Sequence, residues 1–330
     1  MTDIYARRQS ECESRIDDLR KDLSGRVDGL ELESRHPKLA IYATGSLARR
    51  EASIHSDLDA FFMLSGESDG TPMGRIQDVK IFNAVLSAAE AGGFPDFSND
   101  GEYLKFIHIE DVITALGSRI DDYKNTFTAR MLLMLESEWL YGKDCFQGFR
   151  KQAIEAYFTD FHDHSENFRP LFLMNDILRF WRTLCLNYEN SRQWKNVESA
   201  EKSAKGHLGN LKLKFSRLHI CFSFIAHLLS KGQHLSVEDA IKTSETIPFE
   251  RLQEIAGNHP AISADVDILC AEYAWFLDAT GRSKAETLCW ISEQKNRDEA
   301  FAHAGRHIDA YGRLVRHVAE QHGYLKFLIV

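Results

Sequence analysis

The sequence predicts an α+β protein, with a small mixed-sheet domain followed by a large all-helical domain. Three observations lead there. β-type apolar runs are confined to residues 38–64 and 103–109, helical periodicity fills almost everything after residue 110, and six prolines interrupt 330 residues. Residues 1–29 are read as an N-terminal helix, 30–118 as the mixed-sheet domain and 119–330 as the helical domain, a division that the chain length suits. Hydrophobic residues make up 44% and charged residues 27%, which allows a sizeable core and argues against disorder.

The elements follow in order. Residues 3–25 alternate charges with sparse apolar positions such as Ile16 and Leu19, the pattern of a solvent-facing helix held by one narrow stripe. The run KLAIYA at 38–43 is a first strand and ends at Thr44-Gly45-Ser46. A second strand, 58–64, is apolar on both faces past Asp59, as a central strand covered on both sides requires. Residues 74–91 carry a helical period through Ile76, Val79, Phe82 and Leu86, stopped by Gly92-Gly93, Pro95 and Asn99-Asp100-Gly101. The third strand is expected from Tyr103 to Ile109. Amphipathic segments then recur near 120–141, 144–158, 170–190, 207–230, 261–278 and 296–324. Ser236-Val-Glu-Asp239 reads as a helix-starting box.

Composition also removes some functions. A formal charge of -9 disfavours a protein whose main business is gripping nucleic acid through its phosphates. The cysteines at 12, 145, 185, 221, 270 and 289 form no CxxC pair, so neither a disulfide framework nor a structural zinc site is indicated. Residues 1–20 lack the apolar stretch of a secretory signal, and no apolar run reaches about 18 residues. No membrane partner is expected, and a cytoplasmic location is the simplest.

The informative stretch is 43–64, ATGSLARREASIHSDLDAFFML. It sets Gly45-Ser46 after one strand and Asp57-Leu58-Asp59 at the head of the next. Alternation on a strand turns both aspartates to one face, with Cα atoms roughly 7 Å apart. Two like charges on a largely buried strand repel one another, and a divalent cation between them is the natural remedy. Oxygen ligands select Mg²⁺ or Mn²⁺, with substrate phosphates completing the coordination. Gly45 lets the backbone approach a phosphate oxygen, the N–H groups of the next short helix face the anion, and Ser46 adds a hydroxyl. Arg49 or Arg50 adds positive charge. Either piece alone is a commonplace turn or strand start; their conjunction carries the argument.

Strand, Gly-Ser, a short polar helix and Asp-x-Asp entering an apolar strand resemble the nucleotidyltransferase superfamily of DNA polymerase β. Within it the chain resembles the PII uridylyltransferase group and its uncharacterised bacterial relatives, through Gly45-Ser46, Arg49 and His55-Ser56-Asp57-Leu58-Asp59. Residues 127–133 (FTARMLL) and Tyr141-Gly142 extend the likeness more loosely. The sequence departs from that group in lacking a His-Asp hydrolase signature and a strand-rich regulatory tail. The resemblance implies transfer of a nucleotide from an NTP to an acceptor hydroxyl, with Asp57 and Asp59 as catalytic metal ligands. Gly45, Ser46 and Arg49 would contact the nucleotide. It also implies a third carboxylate, for which Glu102 is the choice and Asp100 the competitor. Lys214 and Arg217 are the helical-domain residues expected to bind nucleotide. A protein acceptor is favoured over nucleic acid. The alternatives are an inactive nucleotide-binding interaction module and a toxin or antiphage enzyme acting on tRNA.

Other features have plainer explanations. His303 and His307 stand four apart without the glutamate of an HExxH motif, and His162-Asp-His164 lies in a polar stretch; both sets read as surface or packing residues. Asn175, Arg179 and Arg182 share a helix face that salt bridges explain as well as a phosphate clamp does. Phe180, Trp181, Phe224 and Phe276 recur at helical spacing and read as core.

Overall fold

The computed structural model describes residues 2–30, 38–66, 75–95, 97, 104–161, 168–193 and 200–328. The chain forms two compact units, one over Thr2–Ala156 and one from Tyr157 onward. The first contains a four-stranded mixed sheet in the order β3-β2-β1-β4. β1 (Leu39–Thr44) and β2 (Asp59–Leu64) are antiparallel, from Leu39 opposite Leu64 to Thr44 opposite Asp59. β3 (Phe106–His108) runs parallel to β2, and β4 (Ser137–Tyr141) runs antiparallel to β1. Tyr103, the expected start of the third strand, lies outside the described residues.

Alternation along β1 explains why its sequence shows no polar face. Leu39, Ile41 and Ala43 join Ala60, Phe62, Leu64 and Leu140 in one core. That core also takes in Cys12, Ile16, Leu19, Leu23 and Val27 of α1 (Thr2–Asp28), with Ile81 and Val85 of α3 (Arg75–Ala91). On the other side Tyr42 stacks on Phe61 at 5.7 Å and meets Phe146 of α7 (Lys143–Glu155) at 5.6 Å. Both faces are covered, so both must be apolar. The Tyr42 hydroxyl is buried and, among the described residues, has no hydrogen-bond partner; burial raises its pKa. A Tyr42→Phe variant is therefore expected to gain about 1 kcal/mol, read as a higher urea midpoint at unchanged m-value. A lower midpoint would mean that the hydroxyl has a partner.

The first unit extends further than the sequence suggested. The sequence places its edge at residue 118 and reads 120–141 as one amphipathic segment. Instead α4 (Ile109–Thr114), α5 (Arg119–Tyr123) and α6 (Thr126–Leu135) are followed by β4, and the unit runs to Ala156. The correction has a physical reason: residues 137–141 become a strand by pairing with β1, and five residues of local sequence fit either period. Gly142, with φ 70, then turns so close to β1 that an added Cβ would sit 2.0 Å from the Leu39 carbonyl oxygen. A buried ion pair joins α5 to α6. Arg130 and Asp121 are both fully buried, and the guanidinium donates to the two carboxylate oxygens at 3.0 and 2.6 Å and to the Val112 carbonyl at 3.0 Å.

The second unit is helical throughout its described residues. It comprises α8 (Leu171–Gln193), α9 (Ala200–Lys212), a π-helical turn (Leu213–Arg217) and α10 (Leu218–Ser230). α11 (Val237–Glu245), α12 (Pro248–Asn258), α13 (Ser263–Ala279), α14 (Lys284–Ser292), α15 (Gln294–Gln321) and α16 (Leu325–Leu328) follow. α10 is buried on every side except at Phe222, so it is the centre of this unit. α11 opens with the expected box: Ser236 Oγ accepts from the Asp239 N–H at 3.1 Å, and the Asp239 carboxylate accepts from the Ser236 N–H at 2.9 Å.

One buried side chain makes this unit acid-sensitive. His307 of α15 is fully buried, and its Nδ1–H donates to the Lys214 carbonyl at 3.3 Å. Its Nε2 has no partner among the described residues. Burial pushes the imidazole down to about 3, whereas in the unfolded chain it protonates near ~6.5. Below that value the unfolded state binds a proton that the native state refuses, so stability falls with acidification from about 6.5 towards 3. The slope owed to this group approaches about 1.4 kcal/mol per pH unit. Urea titrations of His307→Phe between pH 6 and 5 should show a pH dependence flatter by that amount; an unaltered slope would place the proton uptake elsewhere.

Candidate functional site

The site begins where β1 ends. Thr44 is the last strand residue, and Gly45 turns with φ 70 into a single helical turn, α2 (Gly45–Ala48). That backbone is open to glycine and strained for other residues. A second constraint is proximity: a Cβ on Gly45 would lie 3.1 Å from Oδ2 of Asp59. The register explains the contact, since Thr44 pairs with Asp59 across the ladder. Arg50 closes the turn with φ 63, a left-handed conformation costing roughly 1–2 kcal/mol for a residue with a Cβ. Glu138 at 2.9 Å and the Ala48 carbonyl at 3.1 Å hold its guanidinium there.

The aspartates sit at the entry to β2. The ladder starts at Asp59, and Asp57 lies two residues ahead of it in irregular backbone. Leu58 is 1% exposed while both aspartates keep partial exposure. By alternation Asp59 shares its side of the sheet with Phe61 and Tyr42. Ser46, in the first turn of α2, is half-buried, and His55 is exposed.

The loop into the aspartates is tightly bonded. The Ser56 N–H donates to the Ser53 carbonyl at 3.1 Å, and the Ser53 N–H donates back to Ser56 Oγ at 3.0 Å. The His55 N–H donates to Ser53 Oγ at 3.2 Å. α1 grips the same loop: Arg8 donates to the Ala52 carbonyl at 3.3 Å, and Arg15 to the Ser53 carbonyl at 2.9 Å. Cys12 lies against the Ala52 carbonyl as well, and burial pushes its thiol up to about 11. The N-terminal helix therefore fastens the backbone that leads to Asp57. The sequence contains no local signal for this, because Arg8 and Arg15 look like ordinary surface charges until their distant carbonyl partners are known.

Arg49 has a role that the sequence did not foretell. It is 6% exposed, its Nε donates to Glu51 at 2.7 Å, and its Nη1 donates to Glu136. The side chain expected at the nucleotide thus ties the end of α2 to the residue preceding β4. Glu102 and its competitor Asp100 lie outside the described residues, as do His162 and His164. Lys214 and Arg217 belong to the second unit, on the π-helical turn. In that unit Asp176 is buried and accepts from the Tyr157 hydroxyl at 2.7 Å and from Arg179 at 3.4 Å. His303 stacks on Trp275 at 3.8 Å, and Phe224 and Phe276 are buried.

The donors suit a hard cation. Asp57 and Asp59 offer oxygen ligands beside a glycine whose missing side chain permits the close approach of Asp59, the donor set that magnesium takes when phosphates and water fill its remaining positions. Among the described residues no group of three or more His, Cys, Asp or Glu gathers as a metal site. No described helix is long and apolar enough to cross a membrane. No protein-family model matches the chain, and no curated protein matches its sequence.

Proposed function

We propose that the chain is a metal-dependent nucleotidyltransferase that moves a nucleoside monophosphate from an NTP to an acceptor hydroxyl. The observation that carries this reading is the placement of Gly45 against Asp59, close enough that a single methyl group would crowd Oδ2 at 3.1 Å. Only a residue without a side chain lets the turn approach the carboxylate this closely, which sets the Gly45-Ser46 backbone and Asp59 side by side, as a metal-bound phosphate held by both requires. Asp57 lies two residues ahead of the strand that begins at Asp59 and adds a second negative charge to this end of the sheet.

Asp57 and Asp59 are the residues that would hold a divalent cation, Mg²⁺ or Mn²⁺, for the triphosphate. When bound, that ion supplies charge for the polyphosphate and lowers the pKa of the attacking hydroxyl. Gly45 admits the phosphate to the backbone, and the Ser46 hydroxyl donates to one of its oxygens. In the transfer the acceptor O–H breaks, an oxygen–α-phosphorus bond forms, and the α–β phosphoanhydride breaks to release pyrophosphate. The proton passes to a carboxylate, the part for which Glu102 is the candidate. The grip of α1 on the 52–56 loop keeps the aspartates from swinging as charge moves past them. A protein hydroxyl is the favoured acceptor, because a net charge of -9 disfavours an RNA acceptor.

Incubating the purified chain with each labelled NTP and Mg²⁺ tests the reading. Pyrophosphate release that EDTA abolishes, with label on protein, is the expected result. Label on RNA would move the assignment to a tRNA-modifying enzyme. NTP binding with no release towards any acceptor would make the chain a nucleotide-binding module and remove the proposed activity.

A further inference from the structure

Both arginines of the glycine turn are committed to carboxylates. Arg49 donates to Glu51 and Glu136, and Arg50 is held by Glu138 at 2.9 Å and by the Ala48 carbonyl at 3.1 Å. A phosphoryl group in transfer is stabilised by protein cations as well as by metal. With Asp57 and Asp59 adding two negative charges at this end of the sheet, a cation from another element is needed.

The register of β3 supplies one. β3 runs parallel to β2 with Phe106 beside Phe62, so the ladder continued back by one residue sets Lys105 beside Phe61. Phe106 turns to the core that α1 and α3 cover, where its ring meets Phe62 at 5.7 Å and Phe82 at 4.9 Å. Successive side chains alternate, so Lys105 turns to the opposite face, the one that Phe61 shares with Asp59. Asp59 therefore lies between the Gly45 turn on its β1 side and Lys105 on its β3 side.

The spacing suits a shared ligand. Neighbouring strands stand about 4.8 Å apart and two residues advance a strand by about 6.6 Å, which separates the Cα atoms of Lys105 and Asp59 by roughly 8 Å. A lysine crosses such a gap with its four-carbon stem and offers three donors at the tip. Lys105 is exposed and, among the described residues, makes no ion pair or hydrogen bond. Its ammonium is thus uncommitted, in contrast to the guanidinium groups of Arg49 and Arg50.

We infer that Lys105 is the protein cation of the site and contacts the triphosphate from the β3 side, opposite the Gly45-Ser46 turn. The inference rests on the nucleotidyltransferase reading and adds to it a binding residue on a third strand. Its ammonium donates charge-assisted hydrogen bonds to phosphate oxygens that the metal leaves open. The polyphosphate chain then lies across the head of β2, bounded by backbone on one side and by a lysine on the other.

The test is calorimetric titration of the full chain with inorganic tripolyphosphate and Mg²⁺, a probe that carries the phosphate chain without a base. Saturable binding is expected, lost in EDTA and in the Asp57→Asn, Asp59→Asn double variant. Lys105→Gln should weaken it about tenfold, and Lys105→Arg should keep most of it. Because the side chain is exposed, both variants should retain the urea midpoint of the parent. In turnover, Lys105→Gln should raise KM for the NTP more than it lowers kcat. Binding that requires Asp57 and Asp59 yet is unaltered in Lys105→Gln would overturn the role of Lys105 and leave the transferase reading standing. Absence of metal-dependent binding in the parent chain would remove both.

Discussion

Changing Asp57 and Asp59 together to asparagine is expected to lower pyrophosphate release by about a thousandfold or more. Charge stabilisation by a bound metal contributes several kcal/mol to such a transition state, and each ~1.4 kcal/mol is a factor of ten in rate. Asparagine keeps the shape of aspartate and removes the charge, so the fold should persist and the far-ultraviolet circular dichroism should be unchanged. Ligand-induced stability provides a second readout. Mg²⁺ with an NTP at a hundred times its Kd adds about 2.7 kcal/mol to a protein that binds it in the native state, so the unsubstituted chain should gain melting temperature and the double variant should not. Full turnover in the variant would end the nucleotidyltransferase reading.

The largest expected loss of stability lies at the buried pair of Arg130 and Asp121. Both side chains are fully buried, and the guanidinium meets both carboxylate oxygens. Replacing Arg130 with methionine leaves the Asp121 carboxylate without its cation in a dry interior. Thr126, whose hydroxyl donates to it at 2.8 Å, is a weak substitute. Breaking one side of such a pair costs about 3–5 kcal/mol, whereas replacing both sides with apolar residues is often close to neutral. The Arg130→Met, Asp121→Leu double variant should therefore recover most of what the single variants lose in chemical denaturation. Single variants within about 0.5 kcal/mol of the parent, the usual range of surface substitutions, would show that the pair is not buried as described. The loose likeness of the stretch 127–133 to the helix of a known enzyme group thus contains an arginine whose partners are structural.

Legibility in the sequence followed the range of the interactions concerned. β1 and β2 lie within a residue of the places that apolar pattern alone assigns them, and the box at Ser236 and Asp239 forms as its spacing requires. Each of these is settled by neighbours a few positions apart. The stretch from 137 to 141 differs: it is a strand only because β1 offers an edge, so local periodicity assigned it to a helix. The π turn at 213–217 is hidden in the same way within what reads as a continuous helix from 207 to 230.

The division between sequence and tertiary structure runs through the candidate site as well. From sequence alone come the α+β class, the turn at Gly45 and an apolar strand headed by Asp59, because backbone alternation and turn chemistry act over a few residues; Asp57, expected on the same strand, lies ahead of it in irregular backbone. Only the tertiary structure decided that Gly45 faces Asp59, through the pairing of Thr44 with that residue. It likewise directed Arg49 to Glu51 and Glu136, and Arg8 and Arg15 to the loop carbonyls. The physical reason is the same in each case. A charged side chain has the same propensity in a sequence whether it meets water, a ligand or a buried partner, and only the folded chain brings the distant partner within hydrogen-bond reach.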